Sequence, residues 1–303
     1  MTAPTANPAT PDSRSVDTDT TLRLAIPKGR MHDSIGRLLA DAGMPMRAGA
    51  RDYRPSVPLE DSEVKVLKPR AVIEMLDSGV RDVGFAGADW VAEDGASLVE
   101  LLDTGLDRVR LVAAAPRTLL GGGGLPDRRL IVASEYPRLT RRWIDGKGID
   151  ASLLLSFGAT EVLPPEDADC IVDNTATGAT LRANGLEIID ELMTSSTRLY
   201  ASERAMDNPA KRGRIEAFAL LIGSVLEART RAMIELNVGS DDLARVVEIL
   251  PCMREPTVSQ LHAGGGWAVK AAVPRKELPT LIPRLKEAGG SDVIVTTPEQ
   301  IVP

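Results

Sequence analysis

From Asp169 to Arg182 the chain reads Asp-Cys-Ile-Val-Asp-Asn-Thr-Ala-Thr-Gly-Ala-Thr-Leu-Arg, and here the residue types that could do chemistry are densest. Cys170 to Val172 is a short apolar run flanked by Asp169 and Asp173, which predicts a buried strand with a carboxylate at each end. Asp173 then stands at the C-terminal mouth of that strand. Thr175, Thr177, Gly178, Ala179 and Thr180 are small or hydroxyl-bearing, so successive backbone N–H groups can converge on an anion where the next helix begins. A carboxylate that accepts hydrogen bonds from two sugar hydroxyls, beside a cradle for a phosphate, is the chemistry of a ribose 5-phosphate binder. A bare Thr-Gly-x-Thr fits a strand, a turn and a Thr-capped helix equally well. The aspartate four positions before Thr177 is what favours the ligand.

The elements that must position these groups follow from periodicity. Leu22, Leu24 and Ile26 predict a strand, and Pro27-Lys28-Gly29-Arg30 leads into a helix with Ile35, Leu38, Leu39 and Ala42 on one face and Gly43 as its stop. Lys28 and Arg30 at a helix N-terminus suit an anion, although two solvated surface cations would look the same. Val64 to Leu67 predicts a second strand. Pro69 opens a helix that ends at Gly79, and Val83 to Gly87 is a strand whose glycines suggest close backbone approach. Asp89 reads as a helix cap before Trp90 more readily than as a reactive group. Val109 to Ala114 is a further strand, and Gly121 to Gly124 reads as a loop near a domain crossover, or as a plain spacer. A new α/β run starts with Leu130 to Ala133, continues through a helix from Tyr136-Pro137 to Gly148, and includes the strand Leu153 to Leu155. Ile188 to Leu192 and Arg198 to Ala201 are expected to be two separate returning strands, before a long amphipathic helix within Pro209 to Arg231.

The last part has a different grammar. Met233 to Leu236 is a strand, Ser240 caps a helix, Thr257 to Leu261 and Trp267 to Val273 flank a turn at Gly264 to Gly266, Leu278 to Ala288 is a helix, and Val293 to Val295 closes. That β-α-β-β-α-β order is ferredoxin-like. It carries few convergent polar groups, so regulation or assembly suits it better than catalysis.

Composition narrows the function classes. With 303 residues the chain is long enough for two or three domains, and its net charge of −7 argues against a nucleic-acid or anionic-membrane partner. Cys170 and Cys252 are far apart and read as reduced packing residues of a cytoplasmic protein. No apolar run approaches the roughly 20 residues of a membrane span. Residues 1–20 lack a hydrophobic centre and read as a disordered tail.

Taken in order, Ala25-Ile-Pro-Lys-Gly-Arg30, the Gly-x-x-Gly-x-Asp run at Gly84 to Asp89, Gly158-Ala-Thr-Glu161, Asp169 to Asp173 with Thr177-Gly-Ala-Thr-Leu-Arg182, and Glu255-Pro-Thr-Val258 followed by Trp267 resemble the ATP phosphoribosyltransferase family in its long form, from about Leu22 to Val302. Any one of these motifs is weak; all of them in this order are specific. The resemblance implies an α/β catalytic part with two lobes like a periplasmic binding protein, plus a C-terminal regulatory domain. The lobes would be 21–111 with 197–227, and 112–196; the regulatory domain would be 228–303. It also implies magnesium-dependent transfer of phosphoribosyl from phosphoribosyl pyrophosphate to N1 of ATP, the first step of histidine biosynthesis. The sugar phosphate would sit on Ala176, Thr177, Gly178, Ala179 and Thr180, with Asp169 and Asp173 near the ribose. Lys28, Arg30 and Lys68 would lie on phosphates, Glu161 and Asp89 at the cleft wall, and Mg2+ mainly on substrate oxygens.

In the same family histidine binds as feedback inhibitor between subunits of a hexamer in equilibrium with dimers, and no accessory regulatory subunit is expected. The matching positions are Asn237, Met253, Glu255, Thr257 and the backbone near Asp292. Asn237 stands where an acid is often found, which forfeits a charge-assisted bond of ~1.5 to 3 kcal/mol unless Glu255 substitutes. Lys68-Pro69 replaces the more usual Arg-Pro and gives up a bidentate phosphate contact. A fold alone does not fix function. A small-molecule-binding protein or sensor on the same scaffold, and a phosphoribosyltransferase acting on another base, are the competing readings.

Overall fold

The computed structural model describes residues 20–47, 53–121, 124–262 and 264–302, so the tail at 1–20 lies outside the described residues apart from Thr20, as do Gly122 and Gly123. The chain opens with β1 (Leu22–Pro27), α1 (Arg30–Asp41), β2 (Ser62–Leu67), α2 (Pro69–Asp77), β3 (Val83–Gly87) and α3 (Ala88–Asp94). It continues through β4 (Leu98–Pro116), β5 (Leu130–Ser134), α4 (Pro137–Lys147), β6 (Ala151–Leu155), β7 (Cys170–Thr175), α5 (Ala179–Ala183) and β8 (Leu186–Ser202). Then come α6 (Glu203–Asp207), α7 (Pro209–Thr230), β9 (Arg231–Val238), α8 (Leu243–Ile249), β10 (Thr257–Gln260), β11 (Trp267–Pro274), α9 (Leu278–Glu287) and β12 (Gly290–Thr296).

Eight strands form one sheet in the order β2-β1-β3-β8-β4-β7-β5-β6. In the first half β2, β1 and β3 are parallel; in the second β7, β5 and β6 are. Two long antiparallel strands, β4 and β8, join the halves. The sequence predicts two short strands at 188–192 and 198–201 and one at 109–114; the structure makes each set part of a single strand of 17 and 19 residues. Register shifts between Glu100 and Val112 bend the pair, and polar residues fall at the bends, which is why the apolar pattern breaks off there. The Gly121 to Gly124 run connects β4 to β5 inside the second half, so it is not a crossover; β4 itself carries the chain across.

Local chemistry explains the borders. Gly43 adopts φ 78° after α1, with its N–H on Ala40 and that of Met44 on Leu39, a left-handed stop that also satisfies the last carbonyls. A Cβ on Gly84 would stand 2.7 Å from the Ala25 carbonyl, so this glycine lets β1 and β3 pack under α2. Asn208 caps α7 by accepting from Ala210 and Lys211 N–H, and α7 returns Ile215, Phe218, Ile222 and Val225 to the core of the first half. The helix expected to start at Ser240 begins after Asp242, whose carboxylate accepts from Arg245 rather than from the helix amides.

The C-terminal strands form a separate antiparallel sheet, β10-β11-β9-β12, with α8 and α9 on one face and a core of Ile234, Leu236, Val246, Val269 and Leu285. This is the β-α-β-β-α-β order read from the sequence.

At the N-terminal ends of β1 and β3, Lys211 Nζ donates to Asp82 Oδ1 at 3.0 Å with both side chains buried, and Asp82 Oδ2 accepts from Arg23 N at 2.8 Å. Removing one member of a buried pair strands the other charge. Lys211→Ala is expected to lower stability by about 3 to 5 kcal/mol, read from the denaturant midpoint, with Lys211→Met combined with Asp82→Asn recovering much of that loss.

Candidate active site

The loops that follow the parallel strands carry most of the residues singled out by sequence. Pro27 pairs with Leu67 as β1 and β2 end, so Lys28 and Lys68 leave the sheet side by side, both exposed, with Arg30 opening α1. From the other half come Glu135 after β5, the turn of 3-10 helix at Thr160–Val162 with Glu161, and Asp173 to Thr180 at the end of β7.

The two halves meet through a buried polar clasp. Asp89 does not cap α3: Gly87 holds the capping position and Asp89 lies in the first turn, 5% exposed. Its carboxylate accepts from Ser195 Oγ at 2.7 Å and from Tyr136 OH at 2.8 Å. Tyr136 OH in turn accepts from Asn174 Nδ2 at 2.7 Å. Burial and the Asp89 carboxylate push the Tyr136 phenol far up, so it stays protonated and donates. The Tyr136 ring stacks on Trp90 at 4.3 Å, with the Arg70 guanidinium 5.0 Å from the other ring centroid. Glu93, also buried, reaches across and accepts from Arg138 N at 2.8 Å and Leu139 N at 2.9 Å, capping α4 from the opposite half.

Asp173 is half-buried, and its Oδ1 accepts from Asn174 N at 2.7 Å. Burial pushes its carboxyl up to about 6, with like charge from Glu135 and Glu161 adding to the shift and the Asn174 bond opposing it. The loop beyond it is shaped by threonines: Thr175 Oγ1 accepts from Gly178 N at 2.9 Å, and Thr177 Oγ1 from Ala179 N at 3.3 Å. Gly178 adopts φ 73°, and a Cβ there would stand 2.9 Å from Arg182 Nη1. Arg182 Nη1 also donates to the Thr177 carbonyl at 3.1 Å, tying the loop to α5.

Asp169 is not part of this group. It precedes β7 at the opposite end from the loop, four residues and about 13 Å of strand away from Asp173. Arg128 grips it with both guanidinium nitrogens, at 2.6 and 3.3 Å, and Ile131 N donates to it at 2.8 Å. That arrangement holds its carboxyl below the usual range, as befits a structural ion pair. A strand flanked by two aspartates puts them at opposite ends, so only one can face the cleft. The sequence reading missed Tyr136, Asn174, Ser195 and Glu93. An Asp–Tyr pair 47 residues apart leaves no local spacing to read.

Against this geometry, the family model for ATP phosphoribosyltransferase matches residues 68–223, and that for the HisG C-terminal domain matches 228–299. The ATP phosphoribosyltransferase of Pelotomaculum thermopropionicum is 33% identical, over 93% of this chain and 99% of its own length. The chain belongs to the ATP phosphoribosyltransferase family. The enzyme of Chlorobium phaeovibrioides is likewise 33% identical over 90% of this chain and 94% of its own. A solved ATP phosphoribosyltransferase chain of the Thermotoga maritima HisG:HisZ complex superposes with a TM-score of 0.61 at 29% identity, spanning 68% of this chain and 99% of that one. This member of the ATP phosphoribosyltransferase family is therefore a transferase of the first step of histidine biosynthesis, with an α/β part and a C-terminal domain. No helix among the described residues is long and apolar enough to cross a membrane.

In the C-terminal domain the five positions singled out by sequence form two groups. Met253, Glu255 and Thr257 line a cavity of about 310 Å³ with Met233 and Lys270. Asn237 lies four residues along β9 from Met233, again about 13 Å. Its Nδ2 donates to Asp292 Oδ2 at 3.0 Å, and Asp292 adopts φ 50°.

The raised carboxyl of Asp173 makes a signed prediction. Between the unfolded value near 4 and the folded value near 6 the native state holds the extra proton, so this group's contribution to stability falls as pH rises through that window and stays lost above it. Asp173→Asn is expected to stabilise the substrate-free protein by about 2 kcal/mol at pH 8 and by nothing below pH ~4, read from denaturant midpoints. An advantage that does not change with pH would rule out the burial effect.

Proposed function

We propose that the cleft between the two halves binds phosphoribosyl pyrophosphate and ATP, and that the halves act as lobes made of 21–111 with 197–227 and of 112–196. The observation that carries this is Asp173 at the mouth of β7, beside the threonine-shaped loop Ala176 to Thr180. The loop takes the sugar 5-phosphate. An incoming phosphate displaces the long Thr177–Ala179 contact, and the freed hydroxyl and amide both turn to it. Asp173 accepts from the ribose hydroxyls; binding them keeps it ionised against its burial. Lys28, Arg30 and Lys68, exposed on the facing edge, neutralise phosphate charge. Asp89 lies at the wall as the anchor of Tyr136 and Ser195, since both its oxygens are already engaged.

Transfer needs little acid–base help. The bond from the anomeric carbon to pyrophosphate breaks with its electron pair, adenine N1 donates the pair that forms the new bond, and the configuration inverts. The protein holds two polyanions in line and keeps water from the sugar. Among the described residues no three His, Cys, Asp or Glu side chains form a ready metal cluster. Asp173, whose carboxyl the nearby Glu161 charge helps to raise, and Glu161 fit a single magnesium ion held otherwise by substrate oxygens. When bound, that ion supplies neutralisation of the leaving pyrophosphate.

The C-terminal domain is the seat of histidine feedback in this reading. Thr257 pairs with Lys270 and Lys270 with Glu235, so the two groups stand two strands and two residues apart on one sheet. A site between subunits of a hexamer, with Met253 to Thr257 from one and Asn237 with Asp292 from the next, resolves that spacing. Asp292 then carries the negative charge that Asn237 lacks, held by the Asn237 amide. The Thermotoga relative is seen with a second protein, HisZ; here the attached domain takes the regulatory role in cis.

Incubation with ATP, phosphoribosyl pyrophosphate and magnesium is expected to give the absorbance of phosphoribosyl-ATP with stoichiometric pyrophosphate. Asp173→Ala should cut kcat at least a hundredfold with an unchanged circular dichroism spectrum. Pyrophosphate release that waits for another nucleobase would defeat the assignment. Asp292→Asn should weaken histidine inhibition about tenfold while leaving uninhibited turnover as it was; equal inhibition would remove Asp292 from the effector site.

A further inference from the structure

Beside β4 and β8, where they pass between the halves, lies a cavity of about 350 Å³ whose arginines have so far no role. Its wall includes Arg108, Arg110, Arg198, Thr194, Ser196 and Ala176. The chain as a whole is acidic, with 43 carboxylate and 36 basic side chains. Three arginines and three hydroxyl residues, Thr194, Ser195 and Ser196, around one small cavity therefore mark a local anion site, since the guanidinium fork matches phosphate oxygens in pairs.

The arginines keep donors to spare. Arg108 is exposed, its Nε makes only a long 3.3 Å contact with the Gly105 carbonyl, and no carboxylate ion-pairs with it among the described residues. Arg110 Nη1 meets Glu191 Oε2 at 3.1 Å, with the two side chains 39% and 40% exposed. A pair that open is worth ~0 to 1 kcal/mol, and a phosphate can replace it. Arg198 donates to Glu100 at 2.7 Å and faces Asp103 at 3.8 Å. Its Nε is buried without an acceptor in bonding geometry, although the Tyr200 hydroxyl is near enough to interact. Asp103, the acid among the lining residues described, is occupied by Ser196 Oγ at 2.6 Å and Gly105 N at 2.8 Å.

Position supplies the second half of the argument. Arg110 pairs with Thr175 across β4 and β7, and Ala176, the next residue, belongs both to the cavity wall and to the loop that takes the sugar phosphate. We propose that the hinge cavity is the subsite for a polyphosphate group, with Arg108 and Arg110 making the phosphate contacts and Ser196 adding a hydroxyl. This rests on the reading of Ala176 to Thr180 as the sugar-phosphate loop. The occupant is either the pyrophosphate that leaves the sugar or the triphosphate of ATP. For the former, the negative charge that builds on the pyrophosphate oxygen as its bond to the anomeric carbon breaks forms beside guanidinium groups already in place.

Calorimetric titration of the full-length protein with magnesium pyrophosphate tests the site directly, alongside initial rates. Arg108→Gln and Arg110→Gln are each expected to weaken pyrophosphate binding tenfold or more at unchanged Tm. Arg110→Lys should fall between, because it keeps the charge but not the fork. Glu191→Gln should tighten binding several-fold by removing the competitor for Arg110. A rise in KM for phosphoribosyl pyrophosphate that tracks these changes assigns the cavity to the leaving group; a rise in KM for ATP alone assigns it to the triphosphate. Pyrophosphate affinity and both KM values within twofold of wild type in the two glutamine variants would overturn the proposal. A wild-type protein that binds pyrophosphate yet forms no phosphoribosyl-ATP would overturn the transferase reading instead and leave the cavity assignment standing.

Discussion

The contact on which the rest of this molecule depends is the buried hydrogen bond from Tyr136 to Asp89. The cleft proposed between the two halves of the sheet needs walls that keep their spacing, and β4 and β8 carry the chain between those halves. The Asp89 carboxylate takes hydroxyls from both directions, Tyr136 passes the connection to Asn174, and Asn174 is the neighbour of Asp173. Glu93 adds a second tie by ending α4 with a charge from the facing half. An isolated buried carboxylate would be costly, and full satisfaction of its oxygens makes it affordable.

Much of this was legible in the sequence where the chain is locally consistent. The apolar periods of α1, α2 and α7, the glycine stops, and the β-α-β-β-α-β order of the last part follow from spacing that each segment carries in itself. The long strands were not legible, because Thr104, Ser195 and Ser196, buried but polar, interrupt the apolar pattern where the pairing shifts register. Asp89 illustrates a different failure. An aspartate after a strand and glycine, at the start of a helix, has the composition of a cap, and only the partner 47 residues on shows that it serves the other half. Asp169 and Asp173 look equivalent in sequence, yet strand direction separates them: one is neutralised by Arg128 where β7 begins, the other stands at the loop end of β7 with its carboxyl raised. Local pattern therefore found the threonine loop after β7, while the groups that tie the two halves together came from tertiary structure.

The C-terminal domain shows how a neutral side chain can hold a charge beside it. Asn237 is neutral, but its amide steadies a carboxylate on the adjacent strand, at a residue whose left-handed backbone turns the side chain back toward β9. Charge at a site is a property of the neighbourhood and not of one position.

The through-strands also set the order in which the chain can assemble. β3 ends its antiparallel pairing on Leu199 and Ala201, more than a hundred residues later, whereas β5, β6 and β7 find their neighbours within the segment that β4 and β8 bracket. On the ribosome the bracketed half has all its partners before the first half receives its fourth strand and the α7 helix that seals its core. The half made first must wait, with an open sheet edge, for the half made second.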